Sequence, residues 1–417
     1  MFRNLNVDAT RVYLFIEFAA SAFFSMMFVT TSLYEATVAG LTPFQLVMVG
    51  TTLEISAFLF EIPTGVVADA YSRRASIIIG YLLMGAGFLV EGLFPAFLPI
   101  LLAQVIWGLG YTFTSGASQA WITDEIGEEP ANKLFMRATQ IGLMASLLGM
   151  GAAMFIGASN VALPIIVGAF GVLLIGLVLI VIMPETGFQP TSREDRTTWQ
   201  HMWHTFNEGL RVVRARTRLL SILGVGLFYG LYSEGFDRLW VKHLLDTFDL
   251  PVIFGNNQVA FFAALRIAGS ILTIFAVRYV EKRVDSGSSL AIGRALWIVT
   301  GLIAAAMIGF GLSPLLPLTI GLYLVIDALR DVRNPLNTAW VNQKLDSRVR
   351  ATVHSMSGQV DSFGQIAGGS VGFIARFFSV VAAITTSGLL LTPALYLIGR
   401  ANARSEAEAV VELSSAD

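Results

Sequence analysis

The sequence predicts an all-α integral membrane protein with twelve transmembrane helices in two pseudo-symmetric six-helix bundles. Composition is the first observation behind this prediction: the 417 residues are 55% hydrophobic and 13% charged, whereas soluble domains carry roughly 25% charged residues. Length is the second. Apolar runs of about twenty residues or more recur along the chain, each long enough for a helix to cross roughly 30 Å of hydrocarbon.

We number these apolar runs as spans 1 to 12. The first six lie at residues 11–38, 43–68, 75–95, 97–123, 134–159 and 162–183, and the second six at 218–245, 253–280, 288–311, 314–341, 350–377 and 379–400. The one long polar segment separates the two sets. The predicted domains are therefore an N-terminal bundle (1–184), a cytoplasmic linker with an amphipathic helix (185–217), a C-terminal bundle (218–400) and a cytoplasmic tail (401–417).

Two short sequence matches indicate that the halves are related. The dipeptide Ala-Trp at 120–121, near the end of span 4, recurs at 339–340, near the end of span 10. The tripeptide Arg-Ala-Thr at 137–139, which opens span 5, recurs at 350–352, which opens span 11. Because both matches occupy equivalent positions in the same order, they predict a parallel six-plus-six duplication.

The distribution of basic residues predicts the orientation. Most of the 27 lysines and arginines lie at the chain ends and in alternate loops, including Arg73, Arg74 and the arginines from Arg193 to Arg218. Cytoplasmic loops are enriched in such residues. We therefore expect a multi-pass protein of the cell (inner or plasma) membrane with both termini in the cytoplasm.

Several functional classes are disfavoured by composition. The chain has no cysteine and a net charge of −2, so disulfides, thiolate nucleophiles and binding of nucleic acid by a basic surface are not expected. His201 and His204 lie three residues apart without an evident third ligand, so no metal site is predicted. No catalytic constellation or phosphate-binding loop is present, and we expect neither an enzyme nor a cofactor.

Ionisable residues inside the spans are the main functional signal, because burying charge in a bilayer is costly unless it faces an interior or an aqueous path. Such residues lie near mid-depth in spans 2, 8, 10 and 11 and in the outer half of spans 1 and 7. Spans 3, 6, 9 and 12 carry almost none away from their ends, where Glu91 and Arg294 are expected near the interfaces. Two of every three helices are thus predicted to line a central cavity with Glu54, Arg266, Asp327, Asp361, Glu35, Glu234, Asp237 and Arg238.

Glu54 is the first candidate for a proton carrier, because no basic residue lies near it in the sequence. Asp327, Arg330, Asp331 and Asn334 are spaced to share one helix face. The alternative for such groups is structural: pairs such as Asp327 with Arg330, or Asp237 with Arg238, would only neutralise each other. Aromatic residues are the substrate-lining candidates, and the alternative is that they face lipid or pack between helices. The candidates are Phe28, Trp107, Tyr111, Tyr232, Phe236 and Trp240.

The loop between spans 2 and 3 contains GVVADAYSRR, with Gly65, Asp69, Arg73 and Arg74 at its key positions. In a duplicated twelve-span chain, this loop resembles the signature GxxxD-R/K-x-G-R/K-R/K of the major facilitator superfamily. The chain departs from that pattern at residues 70 and 72. The resemblance implies a conformational latch in which Asp69, Arg73 and Arg74, together with Asp124 or Glu125, hold the two bundles in the outward-open state.

The stretches FEIPTGVVAD, WITDEIG and EGFDRLW resemble the tetracycline- and macrolide-resistance-like branch of drug:proton antiporters. Two of the usual antiporter features are absent, since Gln104 stands where an arginine is common and the glycine-rich part of span 5 lacks its proline. The resemblance implies a monomer in the lipid bilayer that exports amphipathic small molecules in exchange for protons. A superfamily importer, facilitator or lipid carrier with another cargo remains the alternative, and direction and coupling ion stay open.

Overall fold

The computed structural model of the protein describes residues 7–190, 217–251, 257–285, 287–343 and 347–416, and within these ranges it is helical and contains no strand. His201, His204 and most of the predicted amphipathic linker lie outside the described residues. Contacts divide the chain into two units: unit 1 comprises Met1–Met202 with Asp249–Arg266, and unit 2 comprises Trp203–Phe248 with Ile267–Asp417.

The helices of unit 1 follow the predicted spans 1 to 6. Span 4 forms two helices, α4 and α5, because Gly116 breaks it with a φ of 69°. A side chain rarely adopts this left-handed conformation, which glycine tolerates. The helices are α1 (Ala9–Thr37), α2 (Pro43–Ala70), α3 (Arg73–Leu93), α4 (Phe97–Thr114), α5 (Ala117–Ile126), α6 (Glu128–Ile156) and α7 (Leu163–Ile182).

The second half follows spans 7 to 12. Span 11 is interrupted after Gly368, and span 12 is interrupted after Leu389. The helices are α8 (Thr217–Thr247), α9 (Gln258–Arg283), α10 (Ser289–Leu312), α11 (Leu316–Gln343), α12 (Ser347–Gly368), α13 (Val371–Phe377), α14 (Val380–Leu389) and α15 (Thr392–Ala416). Helix α15 continues to Ala416 through the segment that is predicted as a cytoplasmic tail from residue 401.

The two units use the same packing order. In unit 1, α1 packs against α6 and α7, and α3 packs against α4 and α7. In unit 2, α8 packs against α12 and α14, and α10 packs against α11 and α14. Span 1 thus pairs with span 5 as span 7 pairs with span 11, and the other pairs correspond in the same way. The predicted repeat of two pseudo-symmetric six-helix bundles is confirmed.

Glycines set how closely several of these helices approach. A Cβ added at Gly110 on α4 would lie 2.8 Å from the carbonyl oxygen of Gly80 on α3, and one added at Gly368 on α12 would lie 2.7 Å from the carbonyl oxygen of Leu231 on α8. Real Cβ atoms do not come this close to other atoms. Small residues at such crossings are characteristic of helix packing in membranes.

Nine stretches among the described residues are long and apolar enough to cross a membrane. Helices α8, α11 and α12 are not among them, although they occupy spans 7, 10 and 11. The reason is chemical: α8 and α11 carry several aspartates, glutamates and arginines, and α12 is rich in polar residues. The least apolar spans therefore concentrate in unit 2.

The division into units differs from the predicted boundary at one place. Residues 249–266, predicted in the C-terminal bundle, group with unit 1. The side-chain amide of Asn257 donates a hydrogen bond to the carbonyl oxygen of Met154 at 2.7 Å, and a Cβ added at Gly157 would lie 2.8 Å from Val259. The start of α9 is thus anchored to the end of α6.

Candidate functional site

An ion pair joins two of the polar helices of unit 2. Arg330 on α11 holds the carboxylate of Asp237 on α8 through both terminal nitrogens, with Nη2 donating to Oδ2 at 2.7 Å. Such two-pronged pairs combine charge with fixed geometry. The side chains of Arg330 and Asp237 are 25% and 42% exposed, so the pair lies at a partly open position. This pair is not one of the two that the sequence suggests, which are Asp237 with Arg238 and Asp327 with Arg330.

A second ion pair lies within α8. Arg238 Nε donates to Glu234 Oε1 at 3.2 Å, and only 5% of the Glu234 side chain is exposed. Helix α12 covers this carboxylate, because a Cβ added at Gly368 would lie 3.2 Å from the Glu234 Cβ. Both residues belong to the predicted cavity set, and here they form a neutral pair under a helix crossing.

The remaining predicted carboxylates of unit 2 lie on α11 and α12. Asp361 accepts a hydrogen bond from Gln365 Nε2 at 2.8 Å. Asp327 faces α9, where its carboxylate contacts Gly269 closely enough to exclude a side chain there. Both are half-buried. The predicted shared face of α11 is therefore divided between neighbours, since Asp327 points toward α9 while Arg330 reaches α8.

Sequence reasoning missed Arg333, one turn beyond Arg330. Its guanidinium carbon lies 4.1 Å from the ring centre of Tyr229 and 5.8 Å from that of Tyr232. Its Nη1 also donates to the hydroxyl oxygen of Tyr232 at 3.1 Å. The available signal was the spacing of the two tyrosines, which at i and i+3 share one face of α8.

Unit 1 contains a buried polar cluster that the sequence does not predict. Glu91, expected near an interface, is 1% exposed, and its Oε2 accepts a hydrogen bond from Gln104 Nε2 at 3.0 Å. The hydroxyl of Tyr34 donates to the Glu91 carbonyl oxygen at 2.7 Å. Glu35, next to Tyr34, is also 1% exposed. Glu91 lies close to the end of span 3, and α1 and α4 enclose that end. Its location near a membrane interface stays a prediction.

Glu54, the first candidate for a proton carrier, is half-buried on α2. It lies within electrostatic range of Tyr111 on α4. Glu61, about two helical turns further along α2, also lies within range of Tyr111. Glu61 Oε1 also accepts a hydrogen bond from Ser115 at 3.3 Å. Arg266 is half-buried on α9. Two carboxylates and a phenol thus share one side of the α2 and α4 contact.

The substrate-lining candidates divide into two groups. Phe28, Trp107 and Tyr111 form a connected aromatic cluster, with centroid distances of 6.0 Å for each neighbouring pair. Phe28 and Tyr111 are 42% and 47% exposed, so this cluster presents an open face.

The aromatic candidates of unit 2 are buried. Phe236 packs against Phe310 with centroids 5.4 Å apart, and Trp240 stacks on Tyr323 at 4.4 Å. Tyr232 is fully buried beneath the arginines. The positions of Phe236 and Trp240 agree with the alternative interpretation, in which aromatic rings pack between helices, because their rings fill the space between helices.

The loop signature forms a network within unit 1. Arg73 is paired with Asp124 on α5 and lies 3.8 Å from Asp69. Arg74 Nη2 donates to the carbonyl oxygen of Ile180 at 2.6 Å. The described partners of both arginines lie in unit 1, so a latch to the other bundle stays a prediction. Gly65 has open space around it, because a Cβ added there would meet no neighbouring described atom within 4 Å.

The segment after α7 completes this network. Glu185 accepts hydrogen bonds from the Ser72 hydroxyl at 2.7 Å and from the Arg74 backbone at 2.8 Å. The Trp121 indole donates to the Pro184 carbonyl oxygen at 2.8 Å. This anchoring by residues 184 and 185 was not predicted, because the segment carries no periodic pattern.

Comparison with known proteins agrees with this architecture. The profile of the Major Facilitator Superfamily matches residues 13–369. The chain belongs to this superfamily. It is also 24% identical over 363 residues to the uncharacterized MFS-type transporter YxaM of Bacillus subtilis (strain 168), covering 85% of both chains. The protein is therefore a multi-pass membrane transporter of the major facilitator type.

Solved structures show the same fold at low sequence identity. The nucleoside transporter NupG matches with a TM-score of 0.73 at 14% identity, covering 95% of this chain and 99% of that one. A bacterial homolog of the human lysosomal transporter Spinster matches with 0.66 at 15% identity, covering 95% and 96%. The peptide transporter POT matches with 0.65 at 15% identity, covering 94% and 95%.

Proposed function

We propose that this superfamily member is a secondary active transporter that exports amphipathic or hydrophobic small molecules in exchange for protons by alternating access. The supporting observation is the concentration of ionisable side chains on α8, α11 and α12. Charged groups inside a membrane domain are costly, and they persist where they bind cargo or carry protons. The ion pair of Asp237 with Arg330 joins two of these helices at a partly exposed position.

The proposal assigns roles to both units. Glu54 is the proton carrier, because it is half-buried and within electrostatic range of Tyr111. The open face formed by Phe28, Trp107 and Tyr111 contacts the apolar part of the cargo, since aromatic rings offer large apolar surfaces. Arg73 and Asp124 form the latch that responds to the transport cycle.

The proposed setting is the plasma membrane, with both termini in the cytoplasm and the protein acting as a monomer. The positive-inside rule supports this orientation, because the loops that carry Arg73, Arg74 and Lys133 would lie on the cytoplasmic side. Cysteines introduced at Glu129 and Leu98, for labelling with an impermeant maleimide, test it. We expect protection at Glu129 and labelling at Leu98 in intact cells, and the opposite pattern would contradict the orientation.

A second candidate function is transport of another cargo without proton exchange. Gln104 supports it, because a neutral amide occupies the place where the superfamily relay commonly has an arginine. Here the amide is bound to Glu91 at 3.0 Å. An arginine would place a fixed positive charge beside a titrating carboxylate, which a neutral amide does not provide.

Reconstitution into liposomes with an imposed proton gradient tests the proposal. Lipophilic cations, tetracycline-like compounds, sugars and lipids form the cargo panel. We expect gradient-driven movement of amphipathic compounds, and Glu54→Gln is expected to abolish the dependence on the gradient while binding persists.

The matched control is Glu129→Gln, which removes a carboxylate that is 84% exposed and is expected to leave transport unchanged. Unchanged proton dependence in Glu54→Gln would remove Glu54 from the mechanism. Counterflow of sugars alone, without a gradient effect, would favour the second candidate function over export of amphipathic compounds.

A further inference from the structure

Arg333 is held on a buried aromatic platform in unit 2. Tyr229 and Tyr232 are 4% and 0% exposed, so the rings beneath the guanidinium are fixed by their own packing. The Tyr229 hydroxyl is engaged with Thr300 at 2.8 Å, which fixes its ring further. Attraction of the cation to the ring face orients the guanidinium plane. The platform therefore presents Arg333 in a set position before any ligand arrives.

The neighbouring arginines are paired with carboxylates, whereas Arg333 has no carboxylate in direct contact among the residues that the structure describes. Arg330 is paired with Asp237, and Arg238 is paired with Glu234. The bonds of Arg333 among the described residues go to neutral oxygens, namely the Tyr232 hydroxyl and the Asn334 side chain at 2.8 Å. Asp361, Asp327 and Asp331 are further acidic groups nearby, and Asp331 accepts a hydrogen bond from the Thr273 hydroxyl at 3.4 Å. Asp361 lies within electrostatic range of Arg333 and is bonded to Gln365, and Asp327 lies within range of Arg330.

The Nε atom of Arg333 is the second observation. It is buried and has no hydrogen-bond partner in the part of the chain that the structure describes. A buried donor without an acceptor is costly, and in native proteins such a group calls for an explanation such as strain, a functional role or a bound water or ion. The Nε and terminal nitrogens of a guanidinium form a planar fork that matches the two oxygens of a carboxylate or phosphate. Arg333 as a whole is only half-buried.

We infer that Arg333, on its platform of Tyr229 and Tyr232, binds an anionic oxygen group, a carboxylate or a phosphate, of the transported molecule. This inference rests on the proposed transport function and narrows its cargo to amphipathic organic anions. The two buried rings would hold the guanidinium in place, and Arg333 would supply the counter-charge of the anionic group. Neutral and cationic compounds of the same shape would lack that interaction.

Equilibrium binding to the purified full-length protein in nanodiscs tests the inference without any gradient. Four probes share one phenyl-alkyl frame: 3-phenylpropionate, 3-phenylpropionamide, 3-phenylpropylammonium and a phenylalkyl phosphate. We expect the wild-type protein to bind a carboxylate or phosphate probe at least about 10-fold more tightly than the amide. A charge-assisted hydrogen bond contributes a difference in binding free energy of this size. The two anionic probes distinguish the two ligand chemistries.

Variants test the assignment to Arg333. Arg333→Gln is expected to remove the preference for the anion, and Arg333→Lys to retain part of it, because lysine keeps the charge and loses the fork. Lys133→Gln is the control, since it removes a positive charge from a side chain that is 78% exposed. If Arg333→Gln does not fold, the wild-type preference and the Arg333→Lys variant still decide the question.

The outcomes separate this inference from the transport proposal. Equal binding of the amide and both anions by the wild-type protein would overturn the inference, as would an anion preference that survives in Arg333→Gln. Proton-driven export of neutral or cationic compounds, unaffected by Arg333→Gln, would leave the transport proposal standing and overturn the inference. Arg333-dependent anion binding without proton-driven transport would support the site and contradict the proposed coupling.

Discussion

Breaking the ion pair between Asp237 and Arg330 is expected to destabilise unit 2. Two unit charges about 4 Å apart attract by roughly 4 kcal/mol at an effective dielectric constant of 20. The side chains are 42% and 25% exposed, so screening by water reduces the interaction to about 2 kcal/mol. For a unit of this size, each kcal/mol shifts the melting temperature by roughly 2–4 °C. Asp237→Asn and Arg330→Gln are each expected to lower it by about 4–8 °C.

A double-mutant cycle isolates the pair from other effects of each substitution. Thermal unfolding of the purified protein in detergent is measured for the wild-type protein, both single variants and the double variant. Because the double variant leaves no uncompensated charge, we expect it to be no less stable than either single variant, with a coupling energy of about 1–2 kcal/mol. The pair of Glu129 and Lys133, whose side chains are 84% and 78% exposed, is the control. Additive effects at Asp237 and Arg330 would refute the reasoning.

Three further substitutions are expected to act through particular contacts. Gly110→Val is expected to force α3 and α4 apart and to lower the melting temperature, because its Cβ would lie 2.8 Å from backbone atoms of α3. Gly151→Val is the control and is expected to have little effect, because no neighbouring described atom lies within 4 Å of its Cβ. Gln104→Leu leaves the buried carboxylate of Glu91 without its amide donor, so we expect the free energy of unfolding to fall by about 1–3 kcal/mol. Denaturant unfolding in mixed micelles measures this change, and unchanged stability would contradict the importance of the bond. Trp121→Phe removes the indole donor to the Pro184 carbonyl oxygen, so we expect limited proteolysis to cut residues 184–188 faster. An unchanged cleavage rate would show that this bond does not hold the segment.

The transmembrane fold was predictable because hydrophobic length and spacing act locally along the chain. All twelve predicted spans coincide with helices, from Ala9–Thr37 to the broken helix of span 12. The breaks at Gly116 and after Gly368 were missed, because glycine in an apolar run has no distinct periodic signal. The repeat was detectable from the two tryptophans, Trp121 and Trp340, which are both 1% exposed.

The ionisable residues of the site were predictable from the sequence, because charged side chains are costly inside a bilayer. Their partners were not predictable in this way. Asp237 and Arg330 are 93 residues apart, so no local pattern indicates their pairing. Arg333 was overlooked for the same reason, since its tyrosines lie on another helix. For Glu91, the position along span 3 predicts a location near the membrane interface, whereas only the packing of α1 and α4 shows that its side chain is buried.

By itself, the sequence determined that the chain lies in a membrane, that it crosses in two related sets of six, and which helices carry charge. These properties follow from the free energy of placing each side chain in hydrocarbon, which depends on the residues of one segment. Only the tertiary structure decided which charges neutralise each other and which arginine meets tyrosine rings instead of a carboxylate. Those outcomes depend on the approach of helices that are distant in the chain, where glycines at the crossings set the distances.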